Sequence, residues 1–261
     1  MKFISFGSGS SGNCYLLSSG DDALLIDVGV GIRKLKKYFA DYGINIGTIH
    51  NILLTHDHAD HIKSVGSMSG TYHIPVWATD LVHKGVTRNW MVKKKIEPIL
   101  AKTIEKNNKV QIGSFEVMAF NVPHDSSDNV GYTIVADGEG FTIITDCGHI
   151  TEEMGPIISD TDYLVIEANH DVEMVKNGPY PLVLQSRILG PNGHLSNKAC
   201  GEALAEFASS RLKHVWLCHL SDKNNNPAMA YDTVVDILSS NGISVGKDFE
   251  LTVLKRTVPT E

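Results

Sequence analysis

The sequence predicts an α/β fold in which two sheets pack face to face with helices on the outside. Short apolar segments bounded by Gly, Asp and Asn alternate with segments of helical periodicity along the chain. The second half of the sequence repeats this rhythm, and no linker or low-complexity tract divides the halves. We therefore expect one domain over residues 1–261, built from two similar halves, roughly 1–122 and 123–261.

The first half opens with three apolar segments that predict strands, FISF, CYLL and ALLID. We expect a helix near 32–42, a strand that ends at Leu54, and helices around 62–68 and 81–89. The glycines from Gly7 to Gly12 match G-x-G-x-x-G, but dinucleotide binding requires a helix after this fingerprint. Because CYLL continues as a strand, we interpret these glycines as a hairpin or loop whose backbone can approach the site.

The second half contains the same alternation of strands and helices. Strands are predicted at 115–121, 131–136, 141–145, 163–167, 215–218 and 249–254, and helices at 198–209 and 228–238.

Composition excludes several classes of protein. With 261 residues, of which 42% are hydrophobic, the chain can bury a large core and is not disordered. It contains no apolar run near the roughly 18 residues of a membrane span, and its first residues lack the features of a signal peptide. Four scattered cysteines without a C-x-x-C pair disfavour a zinc ribbon and a disulfide scaffold. We expect a cytoplasmic protein with no membrane partner.

The segment LLTHDHADH, at 53–61, is the strongest chemical signal in the sequence. His56 and His58 are separated by one residue, so on an extended backbone they project to the same side and can bind one ion. A helix that opens near Asp60 would turn Asp60 and His61 away from that ion. The segment therefore predicts two metal ions side by side.

Further ligands are expected where later strands end, because α/β sheets place functional groups there. His124 follows AFNVP, Asp146 follows FTIIT, and His219 follows HVWLC. The predicted set assigns one ion to His56, His58 and His124, the other to Asp60, His61 and His219, and places Asp146 between them. Nitrogen and carboxylate donors without a thiolate favour Zn²⁺, with Mn²⁺ or Fe²⁺ as alternatives.

This set resembles the motifs of the metallo-β-lactamase fold: His56-x-His58-x-Asp60-His61, then separate His124, Asp146 and His219. The resemblance covers nearly the whole chain. It implies a four-layer αβ/βα sandwich with a dinuclear metal site along the sheet edges. It also implies that Asp27, which ends ALLID, positions the metal-binding turn without binding metal itself.

The resemblance leaves the reaction open, because this fold hosts lactamases, thioesterases, diiron oxidoreductases and nucleases. Asp146 in place of a Cys disfavours a secreted lactamase, and His58, where similar redox members carry a Glu, disfavours the diiron enzymes. The segments IEANHD, GHLSN and CHLSDKNNNP resemble the bacterial YycJ/WalJ-like subgroup of exonuclease-like DNA hydrolases. We therefore expect a dinuclear-metal hydrolase of phosphodiester bonds, with a DNA exonuclease favoured.

Two alternatives remain. A thioester or lactone hydrolase could use the same metal-generated hydroxide on a carbonyl carbon, and a non-catalytic scaffold could retain the fold. The complete ligand set disfavours the scaffold. The choice between DNA and RNA is open, because Leu195-Ser196 stands where the similar tRNA-processing nucleases have Ser-Thr. The oligomeric state is open as well.

Two residues are expected to act directly in the reaction. His194 lies outside the metal set and is suited to protonate the leaving oxygen. Asp60 can orient the hydroxide that the ions generate. His170, within IEANHD, is a candidate for substrate binding.

A net charge of −7 excludes a protein that contacts nucleic acid with its whole surface. A local contact is still predicted at KGVTRNWMVKKK, where basic residues surround Trp90. Phosphate contacts would come from Arg88, Lys93, Lys94 and Lys95. The alternative interpretation of this segment is a solvated face.

Overall fold

The computed structural model describes residues 1–261 and contains two sheets. The first sheet has its strands in sequence order: β1 (Lys2–Gly7), β2 (Cys14–Ser19), β3 (Asp22–Ile26), β4 (Ile49–Leu53), β5 (Val76–Ala78) and β6 (Ala101–Thr103). The second has them in order as well: β7 (Lys109–Ile112), β8 (Phe115–Asn121), β9 (Val130–Ala136), β10 (Glu139–Ile144), β11 (Tyr163–Glu167), β12 (His214–Cys218) and β13 (Glu250–Val253).

Nine α-helices connect or follow these strands. They are α1 (Ile32–Asp41), α2 (Ala59–Ile62), α3 (Val65–Tyr72), α4 (Asp80–Arg88), α5 (Met154–Ser159), α6 (Val172–Asn177), α7 (Leu182–Ile188), α8 (Asn197–Phe207) and α9 (Pro227–Ser240).

Both sheets are built in the same way. Each begins with antiparallel strands, β1 to β3 in one and β7 to β10 in the other, and continues with parallel strands from β3 or β10 onward. Parallel neighbours need crossover connections, and these connections contain the helices. The second sheet begins at Lys109, so β7 and β8 belong to it although they precede residue 122.

Alternating side chains of the strands divide the core into three layers. In β3, Leu25 packs toward α1 in one cluster, whereas Leu24 packs in the cluster between the two sheets. In β12, Leu217 faces α8 and α9, whereas Trp216 faces the inter-sheet cluster. The four layers are therefore helix, sheet, sheet and helix, which confirms the predicted sandwich.

The predicted strands at 115–121 and 163–167 match β8 and β11 at both ends. The helix expected at 62–68 is instead two helices, α2 and α3, interrupted at Lys63 and Ser64. No pattern in the sequence predicts β5 to β7 or α5 to α7. None of the helices is long and apolar enough to cross a membrane.

Candidate metal centre

The turn after β4 is held by Asp27, which follows β3 and is fully buried. One oxygen of Asp27 accepts the backbone N–H of Thr55 at 2.9 Å, and the other accepts the Thr55 hydroxyl at 2.8 Å. Asp27 itself has a φ of 58°, a left-handed conformation that is costly for a residue with a side chain. The predicted positioning role of Asp27 therefore has a direct geometric basis.

One group of three histidines brings the turn together with the end of β8. The candidate ligand atoms of His56, His58 and His124 lie within 4.8 Å of one another. His124 Nδ1 donates to the Gly193 carbonyl at 2.8 Å, so its Nε2 faces His58 Nδ1 at 3.2 Å. The Nε2 of His56 is buried and has no hydrogen-bond partner. An orphaned buried nitrogen beside two imidazoles is suited to a metal ion, because a lone pair there needs a cation or a donor.

A second group joins Asp60, His61 and His219, again within 4.8 Å. His61 Nδ1 donates to Asp27 at 2.7 Å, and His219 Nδ1 donates to Glu167 at 3.1 Å. Each ring thereby presents its Nε2 to the centre. A carboxylate behind a metal-binding histidine is the usual means of fixing that orientation.

Asp146 lies between the two groups. Its Oδ2 is 3.1 Å from His61 Nε2, and its Oδ1 is 3.7 Å from His124 Nε2 and 3.6 Å from His219 Nε2. Burial alone would raise the pKa of Asp146, but His219 and His61 hold it well below its ordinary value. Like Asp27, Asp146 has a left-handed φ, here 52°, and His219 has one of 55°. The chain therefore carries backbone strain at the residues that face the centre.

These carboxylates raise the pKa of two histidines at the centre, His61 and His219. Burial alone would lower the pKa of His61, but Asp146, Asp27 and Asp60 raise it to about 10. The pKa of His219 is also raised, against burial, mainly by Asp146. A divalent cation would replace these protons and neutralise the same carboxylates.

Glu167, at the end of β11, is a residue of the centre that the sequence analysis did not select. It is fully buried, and its Oε1 accepts His194 Nδ1 at 2.8 Å as well as His219 Nδ1. Its Oε2 accepts the backbone N–H groups of Cys147 and Leu195. Burial alone would raise the pKa of Glu167, but His194 and the hydrogen bonds lower it to about 2. The signal that could have found it is the one used for His219, a polar residue at the end of an apolar strand.

The sequence of this chain is similar to those of known proteins. The family described as the Beta-lactamase superfamily domain matches residues 23–219, a span that includes every proposed ligand. The chain belongs to this superfamily. Its fold implies binding of divalent metal, and the donor groups described above fit such an ion.

Two curated relatives are similar to this chain over nearly their full length. Exodeoxyribonuclease WalJ of Streptococcus pneumoniae serotype 2 is 32% identical over 96% of this chain and 93% of its own. Exodeoxyribonuclease YycJ of Bacillus anthracis is 31% identical over 100% of this chain and 98% of its own. The solved structure of the metallo-β-lactamase fold protein YhfI from Bacillus subtilis has a TM-score of 0.70, with 17% identity over 99% of this chain and 98% of YhfI, and shows the shared fold.

Two backbone segments that carry none of the proposed ligands, at Asn13 and at Gly29, also approach the centre. Asn13, in the glycine-rich loop after β1, places its Nδ2 2.8 Å from His61 Nε2, and its backbone N–H donates to the Asp60 carbonyl. Gly29 passes so close to the Asp60 carbonyl that a Cβ would overlap with it. The loop expected near the site therefore contacts the metal-binding turn directly.

The remaining predicted residues lie in two places. His170 is buried, with 2% of its surface exposed, and does not line the cavity at the centre, so the structure does not bring it to a substrate-binding surface. Arg88, the last residue of α4, and Lys93 to Lys95, which follow the helix, are exposed. Asn89, next to Arg88, donates to the Asp57 carbonyl of the metal-binding turn at 2.9 Å. The basic segment is therefore anchored beside the centre.

Proposed function

We propose that this chain is a metal-dependent hydrolase that cleaves phosphodiester bonds of DNA from a strand end. The observation that carries the proposal is the similarity over nearly the whole chain to two exodeoxyribonucleases. The site geometry supports it, because all seven predicted ligands lie in one cluster of imidazole and carboxylate groups.

The proposed centre holds two divalent ions. His56, His58 and His124 would hold one, Asp60, His61 and His219 the other, and Asp146 would contact both. Donors of this type favour Zn²⁺, with Mn²⁺ or Fe²⁺ as alternatives. When bound, such ions supply a hydroxide near neutral pH and neutralise charge on a phosphate.

His194 is proposed to protonate the leaving oxygen. Its Nδ1 donates to Glu167, so the proton on Nε2 is the one available for transfer. Burial alone would lower the pKa of His194, but Glu167 and Asp146 raise it, which favours the protonated ring that a general acid needs. The side chain is 15% exposed and lines the cavity at the centre, where a substrate could reach it. Asp60, which also lines this cavity, would orient the nucleophile.

The basic segment after α4 is proposed to contact the DNA backbone. Trp90 is 75% exposed, and the Lys93 ammonium lies 5.2 Å from the centre of its ring. Exposed aromatic and basic side chains together are typical of surfaces that bind single strands. Lys95 donates to the Val86 and Asn89 carbonyls, so it also fixes the end of α4.

We further propose that residues 1–261 form one cytoplasmic domain. The inter-sheet cluster draws apolar side chains from both sheets, including Leu24 and Phe141, so neither sheet is expected to be stable alone. The four cysteines are free and buried, which supports a reducing compartment.

One parallel assay tests the function. Metal-reconstituted protein would be offered duplex DNA, single-stranded DNA, RNA and a panel of thioesters and lactones, with Asp146→Ala protein as the control. We expect nucleotides to be released from DNA ends by the unmodified protein alone. Preferential hydrolysis of a thioester or lactone, with no release from DNA, would instead support the alternative that the same site acts on a carbonyl carbon.

A further inference from the structure

The cavity at the centre is partly closed by α7 and has a volume of about 200 Å³. Arg187, in the last turn of α7, lines this cavity together with His58, Asp60 and His194. No other Lys or Arg is among the lining residues. Arg187 therefore supplies a permanently charged side chain to this cavity, beside the imidazole of His194.

Asp125 fixes the Arg187 guanidinium in place. Arg187 Nε donates to Asp125 Oδ2 at 2.5 Å, and Nη2 donates to Oδ1 at 2.9 Å. The same Oδ1 lies 3.5 Å from His124 Nε2, the atom that faces the proposed ion. Two of the five guanidinium N–H groups are used in this pair, and three remain free. The side chain of Arg187 is 48% exposed, so those donors are accessible.

The charges around the cavity allow an anion to bind there. Two divalent ions carry four positive charges, which the carboxylates of Asp27, Asp60, Asp146 and Glu167 would offset. Asp125 and Arg187 offset one another. An entering phosphate would then meet the free donors of Arg187 and the imidazole of His194.

We propose that Arg187, held by Asp125, binds a phosphate of the DNA strand adjacent to the scissile phosphate and so determines how the strand end is placed. This inference rests on the proposed function. Arg is suited to the task, because its planar fork can bind two phosphate oxygens at once. A cavity of about 200 Å³ is smaller than pockets that enclose whole ligands, which fits recognition of a backbone group. The recognised group is either a terminal phosphate monoester or the neighbouring internal diester.

The test uses metal-loaded Arg187→Gln protein and short single-stranded oligonucleotides. We expect KM for DNA to rise by about tenfold to a hundredfold, as for a lost charged hydrogen bond, with kcat changed much less. The salt dependence of KM should weaken by about one phosphate contact. Hydrolysis of a small diester such as bis(nitrophenyl) phosphate, which has no adjacent phosphate, should stay near the unmodified level.

Substrate changes identify the recognised group. Two substrates are compared: one lacks the terminal phosphate, and the other has an uncharged methylphosphonate at the adjacent linkage. Hydrolysis of each by the unmodified protein should be impaired, and for the substrate that lacks the group bound by Arg187, the Arg187→Gln substitution should cause no further loss. If the substitution adds its full loss to that of both substrate changes, the inference is overturned. Arg187→Lys should recover part of the affinity, and Asp125→Asn should raise KM without lowering metal content.

Arg211→Gln is the matched control. Arg211 is 43% exposed and is also paired through Nε and Nη2 with an aspartate, Asp162, but it lines a different cavity. The Arg211→Gln variant should have an unchanged KM for DNA. Equal effects of the two variants, or an unchanged KM in a correctly folded Arg187→Gln protein, would overturn the role of Arg187 but not the proposed function. Failure of the unmodified protein to cut DNA would overturn the proposed function and this inference with it.

Discussion

The parallel strands β10, β11 and β12 carry charged and polar groups at both ends, and the two ends differ in kind. At their starts, the Glu139 carboxylate accepts Tyr163 Oη at 3.0 Å, Lys213 Nζ at 2.9 Å and the N-terminal ammonium of Met1 at 3.0 Å. Lys213 is 51% exposed and Glu139 27% exposed. Lys213 and Glu139 are therefore in contact with water, where ion pairs are screened and contribute little.

At their ends, the same strands lead to Asp146, Glu167 and His219, and all three are buried. Here the charges have almost no water, so each must be balanced by a partner or by a cation. The comparison shows that the two ends of the parallel strands differ in the burial of their charged groups. The carboxyl ends carry buried charges that are paired with one another and could be balanced by a cation, whereas the amino ends carry partly exposed ion pairs.

The largest expected effect concerns Asp146. Asp146→Ala should remove the carboxylate between the two metal groups, so metal content should fall below two ions per chain and hydrolysis should be abolished. His58→Ala should lower metal content as well. Metal analysis after gel filtration measures this, with Glu139→Ala, at the opposite end of β10, as the control. Full metal occupancy in Asp146→Ala would remove Asp146 from the centre.

His219 and His194 should separate into a ligand and an acid. His219→Ala should lose metal and activity together. His194→Ala should keep its metal and lose roughly a hundred- to ten-thousandfold in turnover, as for a missing general acid. This loss should shrink on a nitrophenyl ester, because nitrophenolate needs little protonation when it leaves. Loss of metal in His194→Ala, or equal loss on both substrates, would contradict the assignment.

Glu167→Gln should alter both histidines that it contacts. Metal affinity should fall by about tenfold to a hundredfold, since the His219 ring loses its carboxylate support. The pKa of His194 should also fall, because Glu167 contributes to raising it. A general acid must be protonated, so activity should decline at a lower pH in this variant than in the unmodified protein. A pH–rate profile at saturating metal measures the shift, and an unmoved alkaline limb would argue against His194 as the acid.

Substitutions in the exposed basic segment are expected to change the affinity for DNA but not the rate of hydrolysis at the centre. Reversing the charges of Arg88 and of Lys93 to Lys95 should weaken DNA binding and flatten its salt dependence, while hydrolysis of a small diester remains nearly unchanged. Because Lys95 also supports α4, thermal unfolding of the variant must be compared with that of the unmodified protein. An unchanged salt slope would identify the segment as a solvated face.

The smallest effect is expected at the amino ends of the strands. Lys213, the N-terminus and Tyr163 lower the pKa of Glu139 from 4.5 to about 2. A depressed carboxyl pKa stabilises the fold above pH 4.5, and this contribution is lost as the pH falls through about 2. Glu139→Gln should therefore destabilise the protein at pH 7 by about 1 kcal/mol or less, after allowance for screening. The difference in unfolding free energy should disappear in strong acid, and a larger or pH-independent difference would require another cause.

The sequence predicted the site residues that are close together in the chain or that directly follow a recognisable apolar strand. The donors from His56 to His61 occupy six positions, so their spacing alone indicates a metal site. His124, Asp146 and His219 were found because each follows an apolar strand. Glu167 was missed because it is the last residue of its strand and was counted with that strand.

Other elements have no local signal. The strands β5 and β6 have three residues each, too few for a period of two to be visible. In α7, Leu182 and Val183 are 77% and 83% exposed, so no apolar stripe marks that helix. Its position over the centre is set by long-range contacts such as the pair of Arg187 with Asp125. Such a contact joins residues far apart in the sequence and cannot be inferred from either segment alone.

The centre takes its donors from both sheets, and this has a consequence for synthesis of the chain. A nascent polypeptide that has left the ribosome through β6 already contains His56, His58, Asp60 and His61, yet neither group of three is complete. The first group needs His124, and the second needs His219, which follows β12. Because the amino-terminal part emerges first, the first group is complete once His124 has been translated, whereas the second must wait for His219, when most of the chain has been made. On the proposed assignment of ligands, we expect hydrolytic activity only after β12 and His219 have been translated.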